Sequence, residues 1–383
     1  MDNIAGHKSS LTWAVHISVA LLVLLWLLPT LGLLVSSFRT ADQIAGSGWW
    51  AAPFPQEESL QLRTAGPDEM TQDGDLYVIE GNLLEQNGAG DLDISAWGTS
   101  ARDVSAYAPG KTAEMRGGET MTLEEDGTYR LTSAEAFEGR GERVFVSATV
   151  PPEFTLDNYE RILFSDDSRE GMAKAFFNTL TVTIPATIIP ILIAAFAAYA
   201  LAWMDFPGRA LLVAAVVALL VVPLQLALIP LLRLHLSIGI GKGYMGVWLA
   251  HTAFGMPLAV YLLRNYMVGL PKDIIENAKV DGATDFQIFT RIVLPLSFPA
   301  LASFAIFQFL WTWNDLLVAL VFLIDASGQT TVMTRQIVEL LGTRGGNWEI
   351  LATAAFVSIS VPLVVFFAMQ RYLVRGLLAG SVK

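Results

Sequence analysis

The sequence predicts an all-α polytopic membrane protein of six transmembrane helices, with a β-rich insert between the first and second. Three observations lead there. Of the 383 residues, 53% are hydrophobic and only 16% are charged, with a mean hydropathy of +0.49; a water-soluble chain of this length cannot bury so much apolar surface. Five runs, at about 14–36, 176–200, 210–232, 300–324 and 350–370, are long and apolar enough to cross a bilayer, and a sixth, 244–268, is interrupted by His251 and Arg264. These blocks are continuous rather than alternating, which argues against a transmembrane β-barrel.

The first run resembles a signal sequence in having Lys8 ahead of an apolar stretch from Leu11, but it continues to Ser36 and no small-x-small cleavage site follows. It reads as a retained helix with residues 1–10 inside. Basic residues then set the topology. Lys8, Arg209, Arg264, Lys272, Lys279, Arg291, Arg371, Arg375 and Lys383 fall on one side; Arg233, Lys242, Arg335 and Arg344 fall on the other. Both termini come out cytoplasmic.

That orientation puts the segment between the first two spans outside. Residues 41–172 hold 26 Asp and Glu against nine Lys and Arg, a net charge of −17 in a chain whose total is −12. The acidity therefore belongs to the outside part. Its first portion, to about residue 75, reads as loop rich in Gly, Pro and acids. From 76 the pattern is strand-like (LYVIEGNLL, TMTLEEDGTYRLTS, ERVFVSATVPP), and MTLEEDGTYRL alternates on both sides of Asp-Gly, a hairpin signal. The domain reading is 1–40 tail and first helix, 41–152 acidic insert, and 153–383 membrane core. The insert serves either to keep an exported loop soluble or to dock a partner.

The stretch PKDIIENAKVDGATDFQIFTRIVLP, from Pro271, is the best-formed polar helical segment of the core. Pro271 suits a helix start, Asp273 a first turn, and Ile274, Ile275 and Ala278 share a face opposite Lys272, Glu276 and Lys279. Gly282 interrupts, Thr284 and Gln287 have capping-box spacing, and the second helix is expected to stop before Pro295. The result is a cytoplasmic helix–turn–helix over 269–298. A helix lying on the membrane surface is the alternative, but acids nearly balance bases here, unlike a polybasic anchor. Mixed charge around a compact apolar face suits a protein partner.

ENAKVDGA followed by IVLP at 292–295 resembles the signature loop of permease subunits of bacterial binding-protein-dependent ABC importers. The family motif has two small residues after its Glu; here Asn277 replaces one. The resemblance implies that Glu276, Asn277, Ala278, Asp281, Gly282, Ala283, Ile292, Leu294 and Pro295 form an ATPase-coupling loop. It implies a second permease subunit, ATPase subunits that hold the ATP and Mg, and a periplasmic sugar-binding protein, all in the bacterial inner membrane system. FTLDNYERIL at 154–163, FFNTLTVTIP at 176–185 and WTWNDLLVAL at 311–320 are similar to the maltose-type carbohydrate permeases. The enlarged outside loop looks like that of the second permease of α-glucoside importers, so an oligosaccharide or glucoside is the implied cargo.

Polar residues inside the spans form the other candidate set. Gln308, Trp311, Asn314 and Asp315 sit in the 300–324 run, the fifth span in chain order, and the spacing of Gln308, Trp311 and Asp315 puts them near one helical face. A carboxylate in a span calls for a partner or water. The set serves either a translocation path or polar packing against another subunit. His251 has no carboxylate near it in sequence and reads as packed or hydrogen-bonded.

Cysteine is absent, which removes disulfides and thiolate metal sites. The chain has no GxxxxGK[ST], no metal-binding His constellation and no nucleophile–base arrangement, so neither enzymatic activity nor a cofactor or metal of its own is expected. Nothing calls for nucleic acid. An ion-coupled secondary carrier would want inverted repeats and midplane ionisable groups, and Asp315 is the one strong acidic candidate. A membrane-anchored sensor or scaffold with a working outside domain is the other alternative. Neither needs the 269–298 loop.

Overall fold

Helix α1 (Ser10–Ser36) begins the computed structural model, which describes residues 10–90, 92–115, 117–164, 171–323, 328–343 and 347–378. The tail with Lys8, the end of the 300–324 run at 324, and Arg344 and Lys383 of the charge-bias reading lie outside the described residues. The chain divides into two units, Met1–Leu156 and Asp157–Lys383.

In the first unit, α1 is followed by the short helix α2 (Ala41–Gly46), whose Thr40 and Gln43 form a capping box. The insert is built from β1 (Gln56–Arg63), β2 (Thr71–Asp73), β3 (Leu76–Asn82), the single turn α3 (Leu83–Gln86), β4 (Asp93–Gly98), β5 (Thr112–Glu114), β6 (Thr120–Leu123), β7 (Thr128–Ser133) and β8 (Arg143–Val150). They make two antiparallel sheets, β1-β8-β4 and β2-β3-β7-β6-β5. Both sheets feed one core: Ile79, Met121, Leu123, Tyr129 and Leu131 from the larger, Ile94, Trp97, Val144 and Val146 from the smaller. Burial raises the Tyr129 phenol above its ordinary range, and its hydroxyl accepts from Ala65 N–H at 2.7 Å and donates to Gln86 Oε1 at 3.1 Å.

The Asp126-Gly127 hairpin forms between β6 and β7. It is the three-residue kind: Gly127 N–H donates to Glu124 O at 3.2 Å, and Gly127 takes φ 84°, closing a type I turn with a left-handed glycine. Strand structure starts before residue 76, however, because β1 pairs with β8 along its whole length from Gln56↔Val150 to Arg63↔Arg143. The inward positions of β1 are Gln56, Glu58, Leu60 and Leu62, so polar residues hide half of its alternation. Phe38 O also accepts from Thr155 N–H at 2.8 Å, so the two ends of the insert lie side by side.

The second unit is helical throughout its described residues: α4 (Asp157–Phe164), α5 (Ala173–Trp203), α6 (Arg209–Leu219), α7 (Leu224–Ser237), α8 (Tyr244–Val268), α9 (Lys272–Val280), α10 (Asp285–Ile288), α11 (Leu294–Leu296), α12 (Phe298–Trp313), α13 (Leu317–Phe322), α14 (Met333–Thr343) and α15 (Trp348–Leu378). Four helices, α1, α5, α8 and α15, are long and apolar enough to cross a membrane, and two bent pairs bring the number to as many as six. α5 packs on α8 and α12, and α12 on α15. Buried alanines (Ala194, Ala195 and Ala198 on α5; Ala259 on α8) share one core and let the backbones approach, while Gly246 and Gly255 of α8 make room for Phe322 and Gln308.

Two expected spans are broken. The 210–232 run bends by 110° between α6 and α7, because Pro223 has no N–H to continue α6 and forces extended backbone. The 300–324 run stops at Trp313 and restarts at Leu317, so Asn314 and Asp315 lie in a break between helices rather than within one. Pro295, by contrast, does not end its helix. Leu294 N–H reaches back five residues to Phe289 O, and this π turn over Phe289–Val293 carries the chain past the proline to Leu296.

Prolines inside the long helices leave carbonyls without their i+4 donors. Three of these are met from neighbouring helices. Trp248 Nε1 donates to Thr181 O at 2.9 Å, the carbonyl orphaned by Pro185; Gln308 Nε2 donates to Ala186 O at 3.1 Å, orphaned by Pro190; Trp313 Nε1 donates to Ser358 O at 3.0 Å, orphaned by Pro362. Trp248→Phe will therefore cost about 1–2 kcal/mol of stability in the wild-type background. In Pro185→Ala, where the restored backbone N–H takes over, the same change will cost markedly less. Unfolding of the four single and double variants in detergent measures the coupling, and equal costs in both backgrounds would refute it.

Candidate functional site

The 269–298 segment folds as the expected pair of short helices. α9 ends in a Schellman turn: Ala283 N–H donates to Ala278 O at 3.0 Å, Gly282 N–H to Lys279 O at 3.1 Å, and Gly282 sits at φ 82°. No atom lies within 4 Å of where a Gly282 Cβ would stand, so conformation rather than crowding requires glycine. The Thr284–Gln287 capping box starts α10, with Gln287 N–H on Thr284 Oγ1 at 3.3 Å and Thr284 N–H on Gln287 Oε1 at 2.9 Å.

One side of this element is anchored to the membrane helices. Ile275 is buried, as are Ile288, Phe289 and Val293, in a core shared with Ala194, Ala195, Ala198 and Tyr199 of α5 and Val260, Leu263 and Met267 of α8. Ala278, Ala283, Ile292 and Leu294 pack at its margin. Phe289 stacks against Phe196 and Tyr199, with centroids 4.7 and 5.3 Å apart, and Tyr199 Oη donates to Asp285 Oδ1 at 3.2 Å. The inner side of the loop is therefore closely packed with α5 and α8.

The opposite side is open. Glu276, Asn277, Asp281, Gly282 and Pro295 are exposed. So are two large apolar side chains, Val280 at 86% and Phe286 at 65%. Val280 escaped sequence reasoning because it stands between Lys279 and Asp281, off the apolar stripe. Burial also corrects the stripe itself, since Ile274 is exposed while Ile275 carries the packing.

The four polar residues of the 300–324 run do not form one surface. Gln308 is buried and holds Ala186 O and, at 3.3 Å, His251 O. It fits because position 255 is glycine; a β-carbon there would lie 2.4 Å from Gln308 Oε1. Trp311 faces the other way, 48% exposed, and lines an apolar cavity of about 480 Å³ with Leu219, Leu220, Val222 and Pro257 at the α6–α7 bend. Asn314 caps α12, its Nδ2 donating to Leu310 O at 2.8 Å. Asp315 Oδ2 caps α13 by accepting from Val318 and Ala319 N–H at 2.9 and 3.4 Å, and lies 3.8 Å from His251 Nε2. The expected common face of Gln308, Trp311 and Asp315 fails at Trp311, which points out of α12 while Gln308 is buried, and Asp315 lies past the end of that helix; His251 does have a carboxylate neighbour, brought in from a distant part of the sequence. Among the described residues no three His, Asp or Glu gather as metal ligands.

Comparison with known proteins gives a consistent picture. The family described as "Binding-protein-dependent transport system inner membrane component" matches residues 175–378. The alpha-glucoside transport system permease protein AglG of Rhizobium meliloti (strain 1021) is 59% identical over 384 residues, covering 99% of this chain and 99% of that protein. The osmoprotective compounds uptake permease protein GgtD of Synechocystis sp. is 58% identical over 231 residues, 60% of this chain and 76% of its own length. A probable ABC transporter permease protein of Pyrococcus horikoshii is 37% identical over 61% of this chain and 83% of its own.

The geometry at Asp315 gives a direct expectation. Asp315→Asn keeps a capping oxygen and will stay near wild-type stability, whereas Asp315→Leu uncaps α13 and will cost about 1–2 kcal/mol. Thermal unfolding of both variants in the same detergent separates them. Equal losses would mean that the charge opposite His251, not the cap, is what the site requires.

Proposed function

The chain belongs to the binding-protein-dependent transport system inner membrane component family, and from that premise we propose that it is the second permease subunit of an α-glucoside importer. It is a membrane permease half of an ABC-type carbohydrate import system and works with a separate ATPase; that family's complexes also contain a second permease and a substrate-binding protein. The α-glucoside reading rests on the likeness to AglG along nearly the whole chain, insert included. In this reading both termini are cytoplasmic, the insert is periplasmic, and residues 41–152 and 153–383 act as separate domains.

The observation that carries the mechanism is the two-sided build of the 269–298 element. Its inner side is fused by packing to α5 and α8. Its outer side presents Glu276, Asn277, Asp281 and Gly282 with Val280 and Phe286 among them. An exposed aromatic ringed by charges is the composition of a protein-binding hot spot. The ATPase grips this face, and opening or closure of the nucleotide-bound ATPase pair moves α5 and α8 as one body. The orphaned carbonyls at Pro185 and Pro190 mark where α5 has fewest backbone bonds of its own and can flex. Trp311, beside the apolar cavity at the α6–α7 bend, offers an aromatic platform to sugar along the path or to the partner permease.

Glu276→Ala and Phe286→Ala will leave the protein in the membrane and weaken recovery of the ATPase in mild detergent, the latter by roughly tenfold or more. Gly282→Pro, which cannot adopt φ 82°, will uncouple ATP hydrolysis from uptake of maltose or another α-glucoside. Co-purification and uptake at matched expression are the measurements. Unchanged ATPase binding and wild-type uptake in all three variants would sink the coupling role. Normal coupling with uptake of a different sugar class would leave it intact and remove the α-glucoside assignment.

A further inference from the structure

The insert is strongly acidic, with 26 Asp and Glu against nine Lys and Arg over 41–172, yet four of its arginines collect in one place. Arg63, Arg102, Arg140 and Arg143, with Thr99 and Ser100, line a solvent-open cleft of about 700 Å³. Chance placement on so acidic a surface would scatter them among carboxylates. Instead, among the described residues, none of the four makes an ion pair, while Arg130 on the other sheet bridges Asp73 at 2.9 Å and Glu80 at 3.3 Å.

The backbone forces two of these charges together. Arg63 and Arg143 are direct cross-strand partners at the end of the β1–β8 ladder. Their neighbours Leu62 and Val144 turn into the core, so the strand alternation sends both guanidinium groups to the outer face. Like charges in this relation are destabilising on their own. Arg63 is also pre-oriented: its Nη1 donates to Gly141 O at 2.8 Å, and both residues line the cleft. Gly141 is required there, since a β-carbon would lie 1.9 Å from Thr64 O. Glu142 is the one carboxylate lining the cleft, against four arginines, and its charge also adds to burial in pushing up the carboxyl of Glu119.

We propose that this cleft binds a small oxyanion of two or more negative charges, either free or carried on a sugar. Guanidinium forks match the geometry of phosphate and carboxylate oxygens, and Thr99 and Ser100 carry neutral hydroxyl donors. The volume is in the range of small-molecule sites. The overall charge of the insert favours a small ligand over an acidic protein surface. A large acidic partner would meet the net −17 of the surrounding segment, whereas an ion inside the cleft sits within a Debye length, about 8 Å at physiological salt, of the arginines. All of the cleft's lining residues belong to the insert, and its ligand is distinct from the neutral sugar proposed as cargo.

The test uses the full chain in lipid nanodiscs, with inorganic phosphate, glucose 6-phosphate and neutral glucose as probes in titration calorimetry. Phosphate or glucose 6-phosphate will bind saturably with Kd of about 1 mM or tighter, and glucose will not reproduce that signal. Arg63→Gln/Arg143→Gln will weaken it by about tenfold or more, while Arg130→Gln, whose arginine already has acidic partners, will leave it unchanged. Similar affinity for the two anions points to a free oxyanion; a tenfold preference for glucose 6-phosphate points to a sugar-borne one. If the double variant lowers the thermal midpoint, Arg102→Gln and Arg140→Gln, both at exposed positions, replace it. Absence of saturable anion binding overturns the proposal, as does binding that survives all of these substitutions. Loss of stimulation by the external binding protein without any anion binding would make the cleft a protein contact instead, and the proposal would fall.

Discussion

Inside a bilayer a backbone carbonyl has no water to turn to, and every proline in a spanning helix creates one carbonyl in need of a donor. The membrane unit is arranged around that constraint. The indole of Trp248, the amide of Gln308 and the indole of Trp313 each reach across to a carbonyl four residues before a proline. Helix contacts, the choice of glycine at 255 and the burial of Trp313 among Phe176 and Phe309 follow from keeping those donors in place. Polar side chains in these spans therefore serve the backbone of neighbouring helices first, and two of them, Gln308 and Trp313, tie α12 to both α5 and α15.

The same helices receive the 269–298 element, which we propose couples them to the ATPase. Ile288, Phe289 and Val293 are packed into the α5–α8 seam, while the points of weakest backbone bonding in α5 lie further along, at Thr181 and Ala186. A push delivered to one end of α5 thus meets a stiff segment first and a proline-softened segment next. Donors from α8 and α12 hold the softened part, so movement of α5 is shared among three helices rather than absorbed in one.

Much of this was legible in the chain. The apolar runs, the two short helices around Gly282, the Thr284–Gln287 cap and the Asp126-Gly127 hairpin rest on local chemistry, and local chemistry is what a sequence displays. The failures have a common cause in long-range partners. β1 reads as loop until β8 pairs with it, because Gln56 and Glu58 occupy its inward positions. Pro295 reads as a helix end, but a π turn takes up the missing N–H. Gln308 and Asp315 look like neighbours on a helix; a break at Asn314 gives one to a proline-orphaned carbonyl and the other to the cap of α13. Val280 was invisible for the opposite reason: an isolated apolar residue among charges has no periodicity to mark it.

The pairing of the first and last strands of the insert has a consequence for ancestry. Gln56 lies opposite Val150, and Phe38 is bonded to Thr155, so the whole β-sheet domain begins and ends at one doorway. A module with such neighbouring ends can be spliced into a short periplasmic turn, or deleted from it, without stretching the segments on either side. Closing its loop is already accomplished by its own hydrogen bonds, so the entropy of holding the ends together does not fall on the host. Transporters of this architecture can therefore acquire, exchange or shed outer domains as cassettes, with selection acting on the sheets independently of the machinery in the lipid.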